Sequence, residues 1–327
     1  MDEVDALKDY LQKQIREAEA QLNQGNYALM EKKEFAYKTV THNDKTSTEL
    51  TANVYYTPPQ TNESTNPRPI ALHFHGGGFV VGSKDDTAAI HLEFLLGHGF
   101  VVVAPNYRLC PTILAIEEPV QDSLDCYEWA RSDLPKLLQP EGITLDTERL
   151  VALGSSCGGT IAHHMTKASL PPLAILDIAC QKFLRDPCFT SGVLPPGYTS
   201  LPPLSQSFID QVYSEVPAPA SSPVPWGPEG MDFSRPRFAW MFSTGSKGTV
   251  FREITPGGDT DTLDPDSLVK VDLARRAHEM LKAKGVESEL IVVEGKDHGV
   301  DEEVKKGERD YEDVARAFEF LKMHVEA

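Results

Sequence analysis

Cysteine is sparse and odd in number: five residues, Cys110, Cys126, Cys157, Cys180 and Cys188, with no C-x-x-C spacing among them. That pattern argues against a disulfide framework or a zinc cage and for reduced thiols packed in apolar runs. Basic residues are short as well, 31 Lys and Arg against 49 Asp and Glu, for a formal charge of -18. Such a surface repels a phosphate backbone, which argues against nucleic acid as a partner. Also missing is any apolar run long enough to span a bilayer, and Met1-Asp2-Glu3-Val4-Asp5 is acidic where a secretory signal would be basic. The expectation is a soluble, cytoplasmic protein with no membrane span.

What is present is material for a large core: 327 residues, 40% of them apolar. Val4, Leu7, Leu11, Ile15, Ala18 and Leu22 recur at helical spacing and give one apolar face. Phe35 to Thr41 and Leu50 to Thr57 alternate as half-buried strands across a turn-like His42-Asn43-Asp44-Lys45, which predicts a hairpin. Pro58 to Pro69 reads as a surface loop.

A strand-then-helix rhythm follows. Strands are expected at Pro69–Phe74, Phe100–Ala104, Leu150–Leu153 and Leu173–Ile178, and helices at Thr87–His98, Val120–Leu138 and Gly159–Ser169. Apolar strands alternating with helices indicate an α/β protein with a parallel sheet covered on both faces. Between Gln181 and Pro236 prolines cluster and only Leu204 to Glu215 looks helical, which reads as a cap over the sheet. The rhythm resumes with a helix Leu268–Lys284, a strand Leu290–Val293 and a helix Tyr311–His324. Phe238-Ala239-Trp240-Met241-Phe242 is too short for periodicity to separate a core strand from a cap helix.

The chain is organised around Val151-Ala152-Leu153-Gly154-Ser155-Ser156-Cys157-Gly158-Gly159, an apolar run entering a Gly-x-Ser-x-Gly turn. A strand that turns this sharply into a helix strains the middle residue and pushes its side chain out at the top of the sheet, which makes Ser156 a candidate nucleophile. The glycines on either side are required because a Cβ there would strike the neighbouring strand or helix. A serine hydroxyl also needs a base and a group that orients the base. His298 stands in the loop after the last expected strand, in Glu294-Gly295-Lys296-Asp297-His298-Gly299. Asp259, Asp261, Asp264 and Asp266 crowd the loop before the Leu268 helix; Asp266, at the helix start, is the chosen acid, with Asp264 next and a plain helix cap as the alternative role for Asp266. His73-Phe74-His75-Gly76-Gly77-Gly78-Phe79 supplies bare backbone amides, so Gly76, Gly77 and Cys157 are the expected oxyanion donors. His163 and His164 read as helix-packing residues, and the His73/His75 pair lacks an Asp, Glu or Cys at metal-binding spacing. No metal or cofactor is expected.

With the H-G-G-G run, the serine elbow and the late His-Gly in this order, residues 50 to 325 resemble the hormone-sensitive-lipase-like carboxylesterases of the α/β-hydrolase fold. Asn106-Tyr107-Arg108-Leu109-Cys110-Pro111 is similar to that branch's Y-R-L-x-P segment. The resemblance implies a mostly parallel eight-stranded sheet flanked by helices, and cofactor-free hydrolysis of carboxylic esters. It divides the chain into an N-terminal cap helix at 1–34, a core at 35–180 and 237–327, and a cap insertion at 181–236. The chain departs from that pattern at Ser155 and Cys157, where an acidic residue and Ala are usual, at Val300, where an aromatic is often seen, and in the long stretch between Gly245 and the Leu268 helix.

The leading expectation is a serine hydrolase acting on small apolar esters, with a homodimer left open and Phe189, Phe208, Tyr213 and Trp226 as either pocket or cap-packing residues. Lactonase, acyltransferase or cyclase/dehydratase chemistry on the same site is the first alternative. A non-catalytic small-molecule receptor, as the gibberellin receptors of this family are, is the second.

Overall fold

The structure is a computed structural model that describes residues 30–326 apart from 44, 60–65, 184–191, 193–200, 225, 228–229, 256–270, 297, 300 and 302–303. The expected N-terminal helix, Phe189, Cys188, Asp264 and Asp266 lie outside the described residues.

Strand β1 (Glu31–Thr41) pairs antiparallel with β2 (Ser47–Tyr56), the expected hairpin, and β2 pairs antiparallel with β4 (Val101–Pro105). From there β3 (Arg68–Phe74), β4, β5 (Leu145–Ser155) and β6 (Ala174–Ile178) run parallel, giving a six-stranded sheet in the order β1-β2-β4-β3-β5-β6. The chain leaves β3 toward β4 on one side and leaves β5 toward β6 on the other. In open α/β sheets that reversal opens a crevice at the carboxyl ends of the strands, where ligands bind.

Alternation along the strands sorts the core into two layers. Val54, Ile70, Leu72, Phe74, Val101, Val103 and Ala152 face one side. Tyr55, Ala71, Val102, Ala104, Val151 and Leu153 face the other. Helices α1 (Ala89–Gly97), α2 (Glu118–Ser132), α3 (Leu134–Leu138) and α4 (Cys157–His164) follow their strands as expected, although the helix expected over Val120–Leu138 is two segments, because Asp133-Leu134-Pro135 interrupts it. The four described cysteines, Cys110, Cys126, Cys157 and Cys180, are buried free thiols.

In the cap stretch, α5 (Gln206–Ile209) continues into a 3₁₀ turn at Asp210–Ser214. The run Phe238–Phe242 is helical, inside α6 (Pro236–Ser246). Pro236 in the first turn pre-sets φ for a helix, and helical spacing brings Phe238 and Phe242 into edge contact at 4.8 Å beside Phe233. Arg237 at the base of α6 is 3% exposed and donates to the carbonyls of Val80 and Cys110 and to Glu215, which pins this segment to the body. A short helix α7 (Val250–Ile254) follows.

After α8 (Val271–Ala283), the strand expected at Leu290–Val293 is absent: these residues are irregular and half-buried, and no described strand pairs with them. An apolar run reports a wish for burial and carries no information about a hydrogen-bonding partner. The last helix, α9 (Arg309–Glu326), lays Val314, Phe318, Leu321 and Val325 on the second core layer beside Leu92 and Leu95 of α1. No described helix is long and apolar enough to cross a membrane.

One buried carboxylate ties the hairpin to α2. Asp122 is fully buried and accepts from Lys38 Nζ at 2.7 Å and from Arg108 Nε and Nη2 at 2.8 and 2.9 Å. Removing the anion leaves the Arg108 guanidinium without its carboxylate, while Lys38 keeps its second partner, Asp125. Asp122→Ala is expected to lower the unfolding free energy by about 3–5 kcal/mol, measured by urea titration; a loss under about 1 kcal/mol would show that the pair is solvated.

Candidate active site

Phe74 pairs with Gly154 across the β3–β5 ladder, so the chain leaves both strands side by side. On the β5 side the next turn carries Ser156, with φ 54° and ψ -127°, a left-handed conformation for a residue with a side chain. Helix α4 begins at once with Cys157. The Ser156 N–H donates to the Ile178 carbonyl at 2.9 Å, tying the bend to the end of β6. The elbow therefore has the strained geometry that the sequence predicts.

Close approach explains the flanking glycines. A Cβ on Gly154 would lie 2.4 Å from the Gly158 carbonyl carbon and 2.6 Å from the Phe74 oxygen; one on Gly158 would lie 2.1 Å from that oxygen. The start of α4 thus sits directly on the end of β3.

On the β3 side the His75–Phe79 loop folds back over the elbow. A Cβ on Gly76 would be 3.4 Å from that of Ser156, which places the Gly76 backbone against the serine. Gly77, at φ 105°, accepts from the N–H groups of Val80 and Val81 and turns the loop over. Cys157 Sγ accepts from the Phe79 N–H at 3.2 Å and so ties the elbow to the loop. Burial pushes the Cys157 thiol up to about 11, so it stays protonated and is no rival nucleophile.

His75 braces the same loop from behind. Its ring stacks on Tyr107 at 4.2 Å, and its Nδ1 lies 2.7 Å from the Gly76 carbonyl, which only accepts. Burial pushes His75 down to about 4, which keeps the imidazole neutral with its proton on Nδ1. Tyr107, from the Y-R-L segment, donates to the His75 carbonyl at 2.7 Å.

Ser156, Gly76, Gly77 and Cys157 are therefore brought together. His298 lies on an exposed turn. Its chain neighbour Asp301, three residues on, is 1% exposed and accepts from Ser155 Oγ at 3.0 Å. Three residues reach about 10 Å at most, so the His298 backbone lies within that distance of the Asp301 backbone.

Sequence reasoning missed the groups behind this contact. His91 Nε2 of α1 lies 2.8 Å from Asp301 Oδ2, and His91 Nδ1 lies 2.9 Å from His73 Nε2. Asp301 thus reaches His73 only through His91. Burial first, and then His91 beside it, push His73 down to about 3. For Asp301, burial acts to raise the carboxyl, but His91 and Ser155 outweigh it and hold the group below the usual carboxylate range. The signal available was the second acid in Asp297-His298-Gly299-Val300-Asp301.

A second polar cluster lies below the elbow. Asp177 binds His163 Nε2 at 2.7 Å and Lys182, and Cys180 is close enough that His163, Asp177 and Cys180 could share a cation. The buried Lys182 ammonium already supplies the positive charge. Burial favours the neutral acid, yet Lys182 and His163 prevail and keep Asp177 well below the ordinary carboxylate range. His163, expected as a helix-packing residue, is thus a hydrogen-bond partner of Asp177. Among the cap aromatics, Phe208 packs on the main core, and the exposed Tyr213 accepts from Trp240 Nε1 at 2.8 Å.

The comparisons agree with this geometry. The profile described as "alpha/beta hydrolase fold" matches residues 71–178, and that of the "Carboxylesterase family" matches residues 17–112. The chain superposes on a structure titled "Bacterial Heroin Esterase" with TM-score 0.56 and 18% identity, covering 99% of this chain and 93% of that one. It superposes on an esterase from Pyrobaculum calidifontis with TM-score 0.54 and 21% identity, covering 99% and 93%. At these identities the likeness is one of fold. The chain has the α/β-hydrolase fold, and its first half carries stretches similar to that fold's profile and to the carboxylesterase family's. Curated relatives include the non-reducing polyketide synthase prhL of Penicillium brasilianum, 29% identical over 91% of this chain, and ausA of Aspergillus calidoustus, 30% identical over 88%. The chain spans only 14% of the length of each.

The glycine argument predicts unequal effects of one added methyl group. Gly158→Ala drives a Cβ into the Phe74 carbonyl and is expected to cost at least ~2 kcal/mol of stability. Gly97→Ala, with nothing within 4 Å, is expected to be neutral or to stabilise by ~0.5–1 kcal/mol. Chemical denaturation of both variants measures the contrast, and equal effects would refute the close approach.

Proposed function

We propose that the chain is a serine acyl hydrolase that opens a carboxylic ester or thioester through an acyl-enzyme. Ser156 Oγ attacks the carbonyl carbon as its proton passes to His298, and Asp266 orients the imidazole. The backbone N–H groups of Gly76, Gly77 and Cys157 receive the oxyanion as the tetrahedral intermediate forms. His298 returns the proton to the departing alcohol or thiol, and water, deprotonated by the same imidazole, cleaves the acyl-enzyme. The observation that carries this reading is the strained elbow of Ser156 beneath the folded Gly76–Gly77 loop.

The polyketide-synthase relatives favour a particular acyl group. A polyketide whose ketones stay unreduced closes readily into aromatic rings, and its release from a synthase is the cleavage of an acyl bond. We therefore favour an aromatic or polyketone acyl group over a plain alkyl chain. A lactone-forming or acyl-transferring release, in which a hydroxyl replaces water in the second step, is the second reading.

The test uses nitrophenyl esters and simple thioesters of aromatic and alkyl acids on wild type and Ser156→Ala. Wild type is expected to turn over aromatic acyl groups preferentially, and the variant to lose turnover by roughly 10⁴-fold or more. Equal turnover by the two proteins would remove Ser156 from the mechanism, and product analysis with an added alcohol separates hydrolysis from transfer.

A further inference from the structure

Ser155 and Asp301 are 146 positions apart in sequence and 3.0 Å apart in space. Each stands next to one half of the chemistry: Ser155 precedes Ser156, and Asp301 follows His298 by three residues. The carboxylate is 1% exposed, and Val304, three residues on, is buried in the second core layer. An anion in such a place is retained only with partners, because burying it alone costs several kcal/mol. Its partners are Ser155 Oγ and His91 Nε2, and His91 is held in turn by His73 at 2.9 Å and by the Phe318 ring at 5.2 Å between centroids.

All three supports are rigid. His73 sits on the central strand β3, His91 on α1, and Ser155 ends β5. The loop that carries His298 has no such framework, since the residues before it form no strand. Asp301 and the buried Val304 are where that loop meets the core.

We infer that Asp301 is a positioning residue: gripped by Ser155 and His91 with His73 behind, it docks the His298 loop against the Ser156 elbow. This rests on the roles proposed above for Ser156 and His298. A purely structural role would stabilise the fold without depending on His298; a positioning role acts through it.

A double-mutant cycle makes that distinction. The rate of phosphonylation of Ser156 by a fluorophosphonate would be measured for wild type, Asp301→Asn, His298→Ala and the double variant, each checked for folding by its thermal melt. The expectation is that Asp301→Asn slows labelling roughly ten-fold or more when His298 is present and less than about two-fold when it is absent. The exchange variant Ser155→Asp/Asp301→Ser rebuilds a carboxylate–hydroxyl contact across the same gap, so it is expected to label faster than Asp301→Ser alone. It also keeps the test decisive if Asp301→Asn fails to fold. Slowing of equal size in both backgrounds, or none in either, overturns the proposal while leaving the acyl-hydrolase reading intact. Wild type that does not label at Ser156 overturns both.

Discussion

The contact between the start of α4 and the Phe74 carbonyl is the constraint from which the site follows. Because neither Gly154 nor Gly158 carries a side chain, the strand and helix on either side of Ser156 close onto β3 within distances that no Cβ would tolerate. That closeness forces Ser156 to φ 54° and brings its backbone beside Gly76. The strain is held by the flanking ladder and by the hydrogen bond from Ser156 to Ile178, so the turn is fixed without help from its own side chain. Sheet order does the rest: with β3 and β5 adjacent and their connections leaving in opposite directions, the glycine loop and the elbow share one end of the crevice.

Charge is used inside this protein quite differently from on its surface. The formal charge is -18, whereas the buried carboxylates Asp122 and Asp301 are matched to cations or an imidazole from other segments. Asp122 joins β1 to α2 through Lys38 and Arg108; Asp177 joins α4 to the chain beyond β6 through His163 and Lys182. The first lies at the β1 edge of the sheet and the second beside β5 and β6. A buried ion pair is a poor source of net stability but a strong selector of one arrangement, since any other leaves a charge without its partner.

Much of this was legible in the residues. Gly154, Ser156 and Gly158 announced the elbow because steric exclusion leaves a one-dimensional trace, and the apolar runs of β3 to β6 announced a sheet covered on both faces. The short runs were ambiguous for a physical reason. Phe238–Phe242 became helical because Pro236 and the Phe233 contact decided it, and Leu290–Val293 found no partner strand, a fact about neighbours that periodicity does not contain. The Ser155–Asp301–His91–His73 chain was unreadable because its members come from four separate segments.

The account depends on an imidazole from residue 298 meeting the hydroxyl at residue 156. A crystal structure of the protein phosphonylated at Ser156 measures this directly. The account predicts a His298 ring nitrogen about 3 Å from Oγ or a phosphonyl oxygen, with Asp301 still bound to Ser155. A His298 ring turned to solvent and beyond one bridging water of the adduct would contradict it.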